Sequence, residues 1–114
     1  MKKIFLLSLL FLFCGCNNTT YKQINKEEAL KLIEDKEAIL IDVRSNVEYT
    51  SGHINGAESY PVTTILDDII DVYEKDTYLI IYCKSGSRSK IASEGLIELG
   101  YKNVYDLGSI NNWN

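Results

Sequence analysis

The sequence predicts an α/β domain whose central, mainly parallel sheet of about five strands is flanked by helices. Three observations carry that prediction. Short apolar runs alternate with stretches of helical periodicity from Tyr21 to Leu107. One run, Tyr78-Leu-Ile-Ile-Tyr82, is apolar on both faces, as a buried central strand must be. A polar segment, Cys83 to Ser89, then separates that strand from a helix, where ligands of such sheets bind.

The elements follow in chain order. Tyr21–Ile24 reads as a short first strand. Asn25 and Glu28 form a helix N-cap with its capping-box partner, and Ala29, Leu30 and Ile33 supply one buried face. Ala38–Asp42 is a short continuous apolar run ending in a polar residue, typical of a buried parallel strand. Residues 43–56 are polar and carry Gly52 and Gly56, which predicts a long ordered loop, and Ala57–Tyr60 reads as a brief strand. After Pro61, the residues Val62, Ile65, Leu66, Ile69, Ile70 and Tyr73 fall at helical spacing. A third helix runs from Ser87 to Leu99, with Ile91, Gly95, Leu96 and Leu99 facing inward and Gly100 as its stop. Asn103–Leu107 is the last strand, and Trp113 covers an edge of the core.

Composition bounds the function. The chain has 114 residues, enough for one core, with one proline and no repeat that would mark a linker or a solenoid. Twelve basic residues stand against 16 acidic ones, for a net charge of -4. No basic run offers a face to phosphates, which argues against nucleic acid as a partner. No cluster of histidine, cysteine and carboxylate has metal-ligand spacing, so no metal is expected.

The N-terminus points to a membrane. Lys2-Lys3 followed by Ile4–Phe13 has the charged and apolar regions of a secretory signal, and the apolar run falls short of the ~20 residues a spanning helix needs. Gly15-Cys16 after that run, followed by Asn17-Asn18-Thr19-Thr20, resembles the bacterial lipobox, with Phe13 where leucine is usual. The resemblance implies a signal peptide over residues 1–15, a lipidated Cys16 with a polar tether over 16–22, and a domain over 23–114. The protein would then sit in the cell envelope, anchored by acyl chains that contribute ~0.8 kcal/mol per buried methylene, facing the periplasm or the exterior. Cys14 would leave with the signal, and Cys83 would remain as the single free thiol.

That thiol opens the segment Cys83-Lys84-Ser85-Gly86-Ser87-Arg88-Ser89. Gly86 permits a tight curl, which turns successive backbone N–H groups toward one point. The N-terminus of the following helix adds partial positive charge, and Lys84 and Arg88 add full charges. Such a loop holds an anion and favours a reactive thiolate without a histidine base.

Residues 83–89 match the Cys-x-x-Gly-x-Arg-Ser loop of the rhodanese family, which the chain resembles over nearly the whole span from Gln23 to Trp113. Asp42-Val43-Arg44 with Glu48-Tyr49, Gly52-His53-Ile54-Asn55-Gly56-Ala57, and Gly100-Tyr101 through Asp106-Leu107 match further family elements. Gly108-Ser109-Ile110 stands where the family often has Gly-Gly-Ile. The resemblance implies a sulfurtransferase with Cys83 as nucleophile and persulfide carrier. The amides of residues 84–89 would cradle the sulfur, Lys84 would attract an anionic donor, and Arg88 would hold the loop. Asp42, Arg44 and His53 are expected to brace the site rather than react. The implied partners are a small anionic sulfur donor and a thiol acceptor, with a protein acceptor as a further candidate, and no cofactor beyond the transferred sulfur. Three other functions compete. A partner-dependent persulfide carrier would share the site without turning over thiosulfate. A cysteine-loop phosphatase or arsenate reductase needs five residues between cysteine and arginine, where this chain has the four from Lys84 to Ser87. A non-catalytic binding module commonly lacks the cysteine that is present here.

Overall fold

A computed structural model describes residues 20–114. The expected signal peptide and Cys16 lie outside the described residues. Five strands form one sheet: β1 (Lys22–Gln23), β2 (Ile39–Asp42), β3 (Glu58–Ser59), β4 (Tyr78–Cys83) and β5 (Asn103–Ser109). Their spatial order is β1-β5-β4-β2-β3, and every neighbouring pair is parallel. The α/β class and the flanked parallel sheet are therefore as the sequence predicts, with β4 at the centre.

The helices are α1 (Lys26–Lys36), α2 (Asn46–Ser51), α3 (Ile65–Asp68) and α4 (Ser87–Glu98), with 3₁₀ turns at Ile69–Asp71 and Ile110–Trp113. Alternation along β4 sorts the core onto the two faces of the sheet. Leu79, Ile81 and Cys83 pack with Val43, Ile65, Ile69, Ala92 and Leu96, on the side of α3 and α4. Ile80 and Tyr82 pack with Ile24, Ala29, Leu40, Ile54 and Leu107, on the side of α1. Trp113 adds to this second cluster, with the Lys26 ammonium 5.3 Å from its ring centre.

Four expectations are corrected. Asn25 and Glu28 make the anticipated reciprocal cap of α1, yet Leu30 is 47% exposed and the buried position is Ala29. Residues 43–56 are not all loop, because α2 forms inside them behind its own capping box, Ser45 with Glu48. The stretch from Val62 to Tyr73 is not one helix. Thr64 makes no side-chain cap, and the Ile69 carbonyl accepts from both Val72 and Tyr73, which tightens the chain into a 3₁₀ turn. Only Ile65 and Ile69 are buried there, while Leu66 and Ile70 face out.

On α4, Ile91 is 61% exposed, and the inward face is Ser89, Ala92, Ser93 and Leu96. Small side chains at the first three of these positions seat the helix closely on the sheet, Leu96 fills the core beyond them, and spacing rather than residue size sets the orientation. Gly95 instead faces α3, where a Cβ would stand 2.8 Å from Leu66 Cδ1.

Candidate active site

Cys83 ends β4, and the next residues turn directly into α4. Gly86 occupies the N-cap of α4 at φ +107°, a conformation that favours glycine. No side chain caps this helix in the usual way; the Cys83 sulfur takes that place. Its Sγ accepts from the Gly86 N–H at 3.0 Å and from the Ser89 N–H, in the first turn, at 3.3 Å. Two of the amides expected to cradle the sulfur thus reach the thiol. Helix N–H groups otherwise lacking partners converge on one sulfur atom, a site that favours negative charge.

The rest of the loop divides by exposure. Lys84, Ser85 and Ser87 face solvent, Arg88 is half-buried, and Ser89 is buried. Arg88 does not point free into the site. Its Nη1 and Nη2 donate to Glu48 Oε1 and Oε2 of α2, at 2.7 and 3.1 Å. Glu48 also accepts from the Ser45 N–H and hydroxyl. Arg88, foremost, and then Ser45 hold its carboxyl at about 2, well below the usual range. Arg88 lies near enough to Cys83 for a thiolate there to raise the guanidinium's own pKa further, although Glu48 is its principal partner.

Asp42 and Arg44 form a buried frame behind the loop. Arg44 Nη2 reaches Asp42 Oδ2 at 2.7 Å and the Gly52 carbonyl at 2.7 Å, and its Nε bonds both Asp42 oxygens. Tyr82 donates its hydroxyl to Asp42 at 2.8 Å and accepts from the Ile54 N–H at 3.1 Å. Burial pushes the Tyr82 phenol up, so it stays a neutral donor. One network therefore joins the ends of β2 and β4 to the chain that follows α2. His53 has a separate bracing geometry: its Nδ1 lies 2.8 Å from the Tyr49 carbonyl, and its exposed ring stacks on Tyr49 at 3.7 Å.

Two contributors escaped the sequence argument. Ser109 pairs with Cys83 across the sheet, and its hydroxyl donates to the Lys84 carbonyl at 2.7 Å. It tethers the first residue of the loop, a contact that glycine at this position cannot make. Asp106 is buried beneath the start of α4 and accepts from the Gly108 N–H at 2.8 Å. Burial raises its pKa, while the Ser89 hydroxyl and the Gly108 N–H oppose that rise. The departure from Gly-Gly-Ile marked Ser109 in the sequence. Asp106 stands in the sequence only as part of the closing family element, and the strand register alone brings it under Ser89.

A parallel sheet with a cysteine–arginine anion loop at the C-terminal end of its central strand defines a class of small α/β domain built around one thiol. Within that class, a family model for the rhodanese-like domain matches residues 25–114, and the chain belongs to the rhodanese-like domain family. It is 31% identical over 94 residues to the thiosulfate sulfurtransferase GlpE of Coxiella burnetii, covering 82% of this chain and 87% of the relative. It is 34% identical over 85 residues to the tRNA uridine(34) hydroxylase of Erwinia tasmaniensis, covering 70% of this chain but 24% of that protein. The chain thus spans between about a quarter and a third of the length of the hydroxylase relatives it matches. Among solved structures, a rhodanese-like domain protein from Staphylococcus aureus superposes with a TM-score of 0.70 at 32% identity, covering 82% of this chain and 91% of that one.

Proposed function

We propose that this protein transfers sulfane sulfur from thiosulfate or a similar donor to a thiophilic acceptor through a persulfide on Cys83. The observation that carries this is the pair of N–H groups aimed at Sγ at the start of α4. Their converging dipoles stabilise an anionic sulfur, and the same groups suit the thiolate before transfer and the persulfide after it. In the first step the Cys83 thiolate attacks the outer sulfur of thiosulfate. A new S–S bond forms, the old one breaks, and sulfite leaves with the bonding electron pair. The charges balance, one and two before, one and two after. In the second step an acceptor thiolate, or cyanide in an assay, takes the outer sulfur and returns the Cys83 thiolate.

Four residues between Cys83 and Arg88 make a tighter ring than the five of a phosphatase loop, which favours sulfur over a tetrahedral phosphate. No resident cofactor enters this scheme. The GlpE relative shares this size of domain, and its printed activity supports the thiosulfate assignment. The second reading, a carrier that serves only a protein partner, draws on the fact that Cys83 is fully buried at rest.

The test is the mass of the Cys83 peptide after the reduced full chain meets thiosulfate, with Cys83→Ala as control. Gain of one sulfur on the wild type, removed by cyanide with thiocyanate formed, is the expected result. A folded protein that gains none from thiosulfate, but does so from a protein persulfide, would be a partner-dependent carrier.

We also propose that Cys16 carries the lipid anchor in the cell envelope, on the strength of the lipobox resemblance. No helix among the described residues is long and apolar enough to cross a membrane. Incorporation of labelled fatty acid, lost in Cys16→Ser, is the expected outcome.

A further inference from the structure

Cys83 has no exposed surface, although the reaction requires a donor atom within ~3.5 Å of Sγ. Two clefts flank the loop and neither is lined by Cys83. One, of about 390 Å³, is lined by Val43, Ser45, Thr64 and Arg88 among others. The second, of about 320 Å³, is lined by Arg44, Glu48, Lys84 and Ile110 among others. The sulfur is closed off from both clefts in this structure, so its surroundings must shift for a donor to reach it.

Besides its core packing and the amide bonds to Sγ, that region is tied to neighbouring elements by two side-chain contacts. Ser109 ties the Lys84 carbonyl to the end of β5. The Glu48–Arg88 pair ties α4 to α2. Only the second offers a charge for which an incoming anion competes. Its side chains are 32% and 30% exposed, so solutes reach both. Arg88 grips Glu48 through two parallel bonds to two oxygens on one carbon. The oxygenated end of thiosulfate, or of a thiosulfonate, presents two oxygens on one sulfur in the same manner. An organic persulfide presents none.

We propose that Glu48 is a positioning residue that keeps Arg88 engaged while Cys83 is closed off, and that an oxyanion-bearing donor opens the site by replacing Glu48 on the guanidinium. The donor-class part rests on the sulfurtransferase reading; the opening itself does not. Glu48 remains a carboxylate down to about pH 2, so the exchange is anion for anion with no proton moved. Lys84, exposed and lining the second cleft, draws the incoming anion and is paired with no acid among the described residues.

Sulfate is the probe, because it has the oxyanion but no sulfur to transfer. Labelling of Cys83 in the full chain by neutral iodoacetamide, resolved at the Cys83 peptide by mass spectrometry, reads the opening. In the wild type, labelling is expected to be slow and to rise severalfold with sulfate, but not with chloride at equal ionic strength. Glu48→Gln is expected to label roughly 2- to 5-fold faster without sulfate and to ignore it, as loss of one partly exposed pair allows. Arg88→Lys, which keeps the charge but loses the fork, reaches the same fast state from the other partner. Ser45→Ala breaks the α2 cap while leaving the ion pair. If it accelerates labelling as much as Glu48→Gln, the cap rather than the pair closes the site, and the proposal is wrong. The proposal also fails if both ion-pair variants, shown folded by thermal melts, label no faster than wild type. A chain that opens with sulfate yet gains no sulfur from thiosulfate overturns the sulfurtransferase reading alone. For transfer itself, Glu48→Gln is expected to lower KM for thiosulfate with kcat little changed, and to speed transfer from an organic persulfide, which cannot open the wild-type site, by about the factor seen in labelling.

Discussion

The Asp42–Arg44 and Glu48–Arg88 pairs use the same groups at the same 2.7 Å separation, and they sit in opposite surroundings. Asp42 and Arg44 are buried, and the pair makes further bonds with Tyr82, with the Gly52 carbonyl and with Arg44's own amide. Glu48 and Arg88 are near one-third exposed and bridge two helices. Burial decides what each pair can do. A buried pair that loses a partner leaves a charge stranded in a medium that cannot solvate it, so it behaves as frame. A partly exposed pair separates at little cost, because water or another anion replaces the lost partner. The difference separates the part of the site that sets its shape from the part that admits a substrate.

Breaking the buried pair is expected to have the largest effect. Asp42→Ala strands the Arg44 guanidinium and frees the Tyr82 hydroxyl, and should cost about 3–5 kcal/mol of stability. A denaturant melt at neutral pH measures it; a loss under ~1 kcal/mol would mean that Arg44 finds solvent and is not a frame residue.

A smaller effect is expected from Tyr82→Phe, which keeps the ring packing but removes the bond to Asp42 and the acceptor for the Ile54 N–H. About 1–3 kcal/mol is expected from leaving that amide without a partner. The same melt serves, and an unchanged midpoint would show that the network ends at Arg44. Persulfide formation should survive in this variant once it is folded, since Tyr82 does not touch Sγ.

The exposed pair is expected to show itself in titration more than in global stability. With its folded pKa depressed to about 2, Glu48 contributes stabilisation that is full above the ordinary carboxylate value and is lost as pH falls toward 2. Carbon NMR of the Glu48 carboxyl should place its midpoint near 2 in the wild type and move it back toward the ordinary range in Arg88→Met. A wild-type midpoint already in the ordinary range would mean that the pair is open in solution.

Much of the site was legible because its chemistry is local. Cys83, Gly86 and Ser89 lie within one strand–helix junction, so their spacing alone implies convergence of N–H groups on the sulfur. The Asn25–Glu28 cap was legible for the same reason. Ser45-x-x-Glu48 carried an equally local capping signal, and α2 was missed because the surrounding polar and glycine residues argued for loop. The inward face of α4 was misjudged because Ile91 outweighed the small residues that pack there.

The sequence by itself determined the fold class, the family and the position of the reactive thiol, since periodicity and a short motif depend on neighbours along the chain. Tertiary structure decided which group Arg88 holds, because Glu48 lies 40 residues away and only the packing of α2 near α4 brings it into reach. It likewise decided that Ser109 tethers the loop and that Asp106 lies beneath it, through the register of β5 against β4. It also decided that Cys83 is closed off at rest. Exposure and long-range pairing are properties of the assembled surface, and no local spacing encodes them.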